Sequence, residues 1–171
     1  MPIQRLNHAV LYVRDVARAV AFYHEVLGFK VITEMPGQAA FLQAAGSTND
    51  HDLGLFAMGA QAADSPAGRT AVGLYHLAWE VDTLGELRNI RGKLVEHRAL
   101  VGESDHGTTK ALYARDVDGI EFEVCWLVPA DQLTENLKAF KGANRLDLDA
   151  EVAAYGADRR GGVGVSVPAL G

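Results

Sequence analysis

Residues 119–124 read GIEFEV and run directly into CW. At a strand's period of two, Ile120, Phe122, Val124 and Trp126 share one face, and Glu121, Glu123 and Cys125 share the other. The first face is core. The second sets two carboxylates beside a thiol, on a strand otherwise built of strand-favouring residues. A solvated face of an antiparallel sheet would explain this, and so would a bound group.

The same kind of patterning organises the rest of the chain into two halves. LNHAVLYVRD (6–15) aligns with LYHLAWEVDT (74–83) at an offset of 68, so that Leu6 meets Leu74, His8 meets His76 and Val13 meets Val81. Each stretch predicts a strand that leads into a helix. In the first half Asp15 caps a helix with apolar positions Val16, Ala19, Val20, Tyr23, Val26 and Leu27, and Gly28 stops it. In the second, Thr83 caps a helix through Leu84, Leu87, Ile90 and Leu94 that runs to about Glu96. Three strand-like pieces follow each helix, near 29–35, 38–45 and 52–58, and near 98–103, 109–115 and 120–127. Each half is therefore βαβββ. Neither is large enough to bury a helix-covered sheet alone, which predicts an α+β fold in which two tandem βαβββ modules (1–70 and 71–128) form one pseudosymmetric curved mixed sheet, with the helices outside.

From Pro129 the repeat stops. DQLTENLKAFKG and LDLDAEVAAYG each predict a short helix, and the glycine-rich end DRRGGVGVSVPALG predicts no element. Residues 129–171 read as an extension that covers a sheet edge or a partner subunit, with no chemistry assigned to it.

Composition narrows the function. The chain has 171 residues, 49% of them hydrophobic, which fits one globular domain with a real core. A net charge of −6 with no basic run argues against nucleic acid or an anionic membrane as partner. No apolar stretch is long enough to span a bilayer, the start MPIQRLNHAV lacks a signal-peptide profile, and the single cysteine Cys125 rules out an internal disulfide framework. These features lead to the expectation of a soluble, cytoplasmic protein.

Of the six histidines, His24 and His97 fall on polar helix faces or ends and are expected in solvent. His8 and His76 sit in apolar strands at equivalent repeat positions, where pseudosymmetry places them at equivalent points about one axis. That pairing favours metal ligation over two coincidental core histidines. Carrying Glu123 back by the offset reaches Leu55, so the first half supplies no matching donor. His8, His76 and one glutamate make a two-histidine, one-carboxylate set, which leaves coordination positions open and suits non-haem iron(II); manganese(II) fits the same donors. Two-residue steps from Leu55 through Leu53 reach His51, which would face the same cavity and is suited to moving protons.

The stretches LNHAVLYVRDVARAVAFYHEVLGFKVI, NDHDLGLF, LYHLAWEV and DHGTTKALYARDVDGIEFEV, in this order over residues 6 to about 127, resemble the vicinal oxygen chelate (glyoxalase/bleomycin resistance/dioxygenase) superfamily. Within it, the chain is most similar to type I extradiol, catechol 2,3-dioxygenase-like ring-cleaving enzymes. The resemblance implies one such domain over 1–128 built around a metal cavity. His8, His76 and Glu123 would be the ligands, with Glu123 chosen over Glu121 because it falls four residues after the glycine of DVDG. It also implies His51 as the acid–base histidine, Tyr113 as the tyrosine that hydrogen-bonds a substrate hydroxyl, and His106 as a histidine near the substrate. Iron(II) as metal, an aromatic diol and O2 as substrates, and a homo-oligomer complete the implied picture.

Two positions depart from the family's pattern. Val117 replaces the usual proline of the turn, whose Asp and Gly remain, so the following strand should still form. Asp50 stands where some relatives carry a second histidine. From the residues alone, Tyr113 also reads as a core aromatic, His106 as a polar loop residue, Cys125 as a small buried apolar group and Glu121 as a rim or solvent residue. Two rival functions share the fold. A glyoxalase-like isomerase or lyase usually takes a fourth ligand from the first half, where Gly54, Leu55 and Phe56 offer none. Metal-free antibiotic-binding relatives have usually lost the ligands that this chain keeps.

Overall fold

The expected succession of strand, helix and three strands occurs twice. The computed structural model describes residues 2–3, 5–68 and 70–162. They form two compact units, Met1–Ser65 with Asp116–Gly119, and Pro66–Arg115 with Ile120–Gly171. No described helix is long and apolar enough to cross a membrane.

In the first unit β1 (Ala9–Val13) leads into α1 (Val16–Leu27), followed by β2 (Lys30–Met35), β3 (Ala39–Gln43) and β4 (Leu53–Ala57). The sheet order is β1-β4-β3-β2, with β1 parallel to β4 and the other pairs antiparallel. The Asp15 side chain accepts from Arg18 N–H and caps α1. Gly28, at φ 74°, ends the helix and sends its N–H to the His24 carbonyl at 3.0 Å. The helix buries Val16, Ala19, Phe22, Tyr23 and Val26 over β2, β3 and β4. Phe22 is thus a core residue beyond the expected set, while Val20 and Leu27 are only half-buried. Leu11, Val13, Leu42, Leu53 and Leu55 are buried too, each contributing about 1.5–3 kcal/mol through removal from water.

The turn Asp116–Gly119 belongs to this unit and is held without the missing proline. Arg14 N–H donates to Asp118 Oδ2 at 3.0 Å and its guanidinium to Oδ1 at 3.1 Å. The Tyr23 hydroxyl donates to Asp116 Oδ2 at 2.9 Å, and Asp118 N–H to Asp116 Oδ1 at 2.9 Å. Gly119, at φ 81°, supplies the left-handed step, and β8 starts two residues later.

In the second unit β5 (Leu77–Glu80) leads into α2 (Leu84–Glu96), then β6 (Leu100–Asp105), β7 (Thr109–Arg115) and β8 (Glu121–Leu127). The order β5-β8-β7-β6 repeats the first unit, again with the first and last strands of the repeat parallel. Thr83 caps α2 by accepting from Glu86 N–H at 3.1 Å, and Leu84, Leu87, Ile90 and Leu94 are buried as their spacing predicts. One feature of the expected architecture changes. Where the sequence suggested one continuous sheet, the described strands pair only within their own repeat and make two sheets of mixed strands. The reason is that each repeat completes its own ladder, since its first strand takes its own fourth strand as a parallel neighbour.

The extension is part of the second unit. A 3-10 turn (Ala130–Gln132) and α3 (Glu135–Ala139) lead to β9 (Asn144–Arg145), which adds antiparallel to β6 and covers that edge. Next, α4 (Leu148–Tyr155), capped by Asp147, packs on α2. Lys110 on β7 is 2% exposed, and its ammonium pairs with Asp105 at 2.6 Å and with Glu151 of α4 at 3.1 Å. Residues 157–162 continue alongside α2 and β8. Gly85 N–H donates to the Ala157 carbonyl at 2.8 Å, and Gly162 N–H to that of Leu127 at 2.9 Å. A Cβ at Gly161 would collide with the Leu127 carbonyl and the Trp126 indole, so the strand end accepts only glycine there. The remainder of the glycine-rich end, 163–171, lies outside the described residues.

Candidate functional site

The strand β8 carries two kinds of residue. Phe122, Val124 and Trp126 are at most 2% exposed, in the core. Glu121, Glu123 and Cys125 alternate with them on the opposite face, alongside Ala111 and Tyr113 of β7, which pair with Cys125 and Glu123. Tyr113 is therefore not a core aromatic, because it shares the face of Glu123.

On that face four of the sequence-predicted residues come together in two pairs. His76, immediately before β5, has Nε2 3.2 Å from Glu123 Oε2. The Tyr113 hydroxyl lies 3.0 Å from His106 Nε2, and the rings of His76 and Tyr113 are 5.8 Å apart. His76 Nδ1 is buried with no hydrogen-bond partner among the described residues. Burial and then the charge of Glu123 raise the Tyr113 phenol above its ordinary value, which keeps it protonated at neutral pH. The Cys125 thiol is pushed up to about 12 by burial first and by Glu123 and Glu80 after it. It is a neutral, buried group, as expected. Glu121 turns toward Arg115, 3.5 Å away.

The first unit holds the other two. His8 lies immediately before β1, and Asn7 Oδ1 accepts from its Nδ1–H at 2.7 Å. That fixes the proton on Nδ1 and leaves the Nε2 lone pair free. The ring of His51 packs 4.6 Å from that of His8 and 5.1 Å from Phe41. Its Nδ1 is 3.3 Å from Asp50, whose carboxyl is lowered from its ordinary value mainly by the His51 backbone N–H. His8 and His51 are thus neighbours, as are His76 and Glu123. The proposed ligands are divided, His8 in one unit and His76 and Glu123 in the other. Among the described residues of either unit, no three His, Cys, Asp or Glu side chains form a group that could hold a metal ion.

The register corrects one step of the sequence reasoning. The β1–β4 ladder pairs Ala9 with Leu53, whereas β5–β8 pairs Leu77 with Phe122. The second repeat is one residue longer between its parallel strands, so the offset of 68 that fits the first strands fails at the last ones. The counterpart of Glu123 is Gly54, not Leu55; Leu55 is buried in the core and His51 precedes β4 in a loop. By the same ladders Phe41 pairs with Gly54 as Tyr113 pairs with Glu123. A Cβ at Gly54 would have Val10 and Phe41 as its nearest neighbours, at ordinary contact distances from 3.4 Å.

Sequence reasoning overlooked Asn7 and Tyr75, the residues that precede the two histidines. Tyr75 packs its ring 4.6 Å from that of His76. Their signal was position: each is the immediate neighbour of a candidate ligand, in the same slot of the repeat. It also overlooked Lys110, because a lysine at an inward strand position carries no hint of its partners on β6 and α4.

A family model for the Glyoxalase/Bleomycin resistance protein/Dioxygenase superfamily matches residues 5–124. The chain is 33% identical over 119 residues to a catechol-2,3-dioxygenase of Bacillus subtilis (strain 168), covering 70% of this chain and 40% of that protein. It is 36% identical over 120 residues to biphenyl-2,3-diol 1,2-dioxygenase 3 of Rhodococcus globerulus, covering 67% and 59%. The chain thus spans between two fifths and three fifths of these relatives. Among solved structures, a lactoylglutathione lyase from Agrobacterium tumefaciens matches 73% of the chain and 95% of its own, with a TM-score of 0.54 and 24% identity. That likeness concerns the fold.

Proposed function

The chain belongs to the Glyoxalase/Bleomycin resistance protein/Dioxygenase superfamily, and from that premise we propose that it is an extradiol-type dioxygenase, which opens an aromatic diol ring with O2. The observation that carries the reading is the face of β8, where a histidine–carboxylate pair lies beside a tyrosine–histidine pair. The two relatives named as dioxygenases of diols support the same choice.

His8, His76 and Glu123 are the proposed ligands, with iron(II) as the metal and manganese(II) as the alternative. The His76–Glu123 geometry fits such a group. Two donors each about 2.1 Å from one divalent ion, at roughly right angles or somewhat wider, stand about 3 Å apart, and the observed separation is 3.2 Å. The donor set of two imidazoles and one carboxylate suits iron(II) with open positions. When bound, the metal supplies Lewis acidity and a path for electrons between diol and O2. The chain's own groups do the rest. His51, packed on His8, is the proton donor and acceptor, while Tyr113 and His106 orient the diol and take up a hydroxyl proton. In the net reaction the ring carbon–carbon bond beside the diol is cleaved and both atoms of O2 enter the product.

Gly54 in the place of a fourth ligand disfavours the isomerase or lyase reading, which usually takes a donor there. The test is to load the protein anaerobically with iron(II) and follow oxygen uptake with catechol and biphenyl-2,3-diol. One iron per chain with diol-dependent uptake and a coloured ring-opened product is the expected result. Tight zinc or nickel binding without uptake would move the protein to the isomerases and lyases, and no metal binding at all would make it a binding protein.

A further inference from the structure

The C-terminal extension, to which the sequence assigns no chemistry, reaches one of the candidate side chains. His106 Nδ1 lies 3.3 Å from the Gly142 carbonyl oxygen, while its Nε2 lies 3.0 Å from the Tyr113 hydroxyl. We propose that the extension, through the Gly142 carbonyl, fixes His106 as the Nδ1–H tautomer and thereby sets the direction of the Tyr113–His106 hydrogen bond.

What each atom can donate or accept decides the tautomer. A carbonyl oxygen only accepts, so the proton of the neutral imidazole is on Nδ1 and Nε2 carries a lone pair. Tyr113 must then donate its hydroxyl hydrogen to Nε2. Its own oxygen lone pairs then remain to accept from a third group. With the opposite tautomer, Nε2–H would donate to Tyr113, and the phenol hydrogen would point away from His106. The extension thus decides whether Tyr113 presents an acceptor or a donor to a ligand.

The carbonyl is held in place by several parts of the extension. The Phe140 ring packs against Gly107 and Gly142: a Cβ at Gly107 would meet it at 3.2 Å, and one at Gly142 at 3.0 Å. Gly107 adopts φ 78°, which lets the turn after His106 pass beneath that ring. The turn is closed by His106 N–H to the Thr109 carbonyl at 2.9 Å and Gly107 N–H to Asp105 Oδ1 at 2.8 Å. Strand β9 pairs Asn144 with the same Asp105, and Lys110 ties Asp105 to Glu151 of α4. Gly142 is therefore a positioning residue acting through His106. Its use in catalysis rests on the dioxygenase reading; the tautomer does not.

The test is long-range proton–nitrogen NMR on the full-length chain with 15N-labelled histidine, free of paramagnetic metal, with His106 assigned from the His106→Gln spectrum. The expected wild-type pattern has the proton on Nδ1 and Nε2 as acceptor. Tyr113→Phe should keep it, because the carbonyl remains. Phe140→Ala, with Gly142→Ala as the second variant should the first not fold, should convert it to the other tautomer or to a mixture. A wild-type Nε2–H tautomer, or an Nδ1–H pattern untouched in a folded variant, overturns the proposal. If the iron-loaded protein consumes oxygen with diols, Phe140→Ala should also lower kcat about tenfold at unchanged iron content. Absence of any oxygen uptake in the wild type would sink the dioxygenase reading and leave the NMR result standing.

Discussion

The two repeats use one ladder for different purposes. On the helix-facing side they agree: Leu53 and Leu55 in the first, Phe122 and Val124 in the second, all buried. On the other side they part. Val10, Gly54 and Phe41 are neighbours across the first sheet where Ala78, Glu123 and Tyr113 are neighbours across the second. The edges differ as well, since β2 is exposed along its whole length while β6 is covered by β9. The face that makes the fold is constrained by burial and is the same in both. The face that carries the candidate residues is free to vary: the second repeat has a carboxylate and a phenol within its strands, while the first has its two histidines at the ends of its strands, His8 before β1 and His51 before β4.

The sharpest way to break that contrast is to give the second repeat the residue of the first. Glu123→Gly removes the only carboxylate of the proposed ligand set; metal affinity should fall by at least about a hundredfold, more than loss of an outer-shell partner costs, as read by metal content after dialysis. The reverse change is milder. Gly54→Ala adds a Cβ at ordinary contact distance from Val10 and Phe41, so it should shift stability by no more than about 1 kcal/mol.

A second distinction concerns pH. Cys125 stands opposite Glu80 where the first repeat pairs Tyr12 with Phe56. The thiol has an ordinary value of 9.0 and is pushed up to about 12 in the fold. The unfolded chain therefore loses this proton first, so the contribution to stability is complete below pH 9 and disappears as pH rises toward 12. Denaturant titrations should show stability falling over that window, and Cys125→Ala should flatten the slope. An unchanged slope would mean that other groups cause it.

The smallest effect separates the helix ends. Gly28 takes the left-handed position after α1, whereas after α2 the φ of 55° falls on Arg98. A side chain there costs about 1 kcal/mol, so Arg98→Gly should raise stability by roughly that amount in thermal unfolding, and Gly28→Ala should lower it similarly.

What the sequence revealed follows this same division. Helix boundaries were legible because Asp15, Thr83 and Gly28 act locally, and every predicted strand lies within a few residues of an observed one. Alternation alone separated Phe122 and Val124 from Glu121 and Glu123. The Leu55 equivalence failed because a single added residue in the second repeat is invisible to an offset read from the first strands. The Asn7–His8 contact, the His76–Glu123 pair and the Gly142 carbonyl were hidden for another reason. Each depends on how loops place atoms, and the last involves a backbone group that has no sequence signature at all.

Lys110 has a consequence for how the protein comes apart. Its ammonium is enclosed between β7 and α4, and pulling the extension away would strip it of Glu151 while it remains in contact with the sheet. Asp105 stays with it at 2.6 Å, so the loss is that of one charged hydrogen-bond partner out of two, about 1–3 kcal/mol. Peeling from the C-terminus is thus a poor route to partial opening. The amides of α4 should exchange more slowly than those of a frayed chain end, and Lys110→Met should speed them.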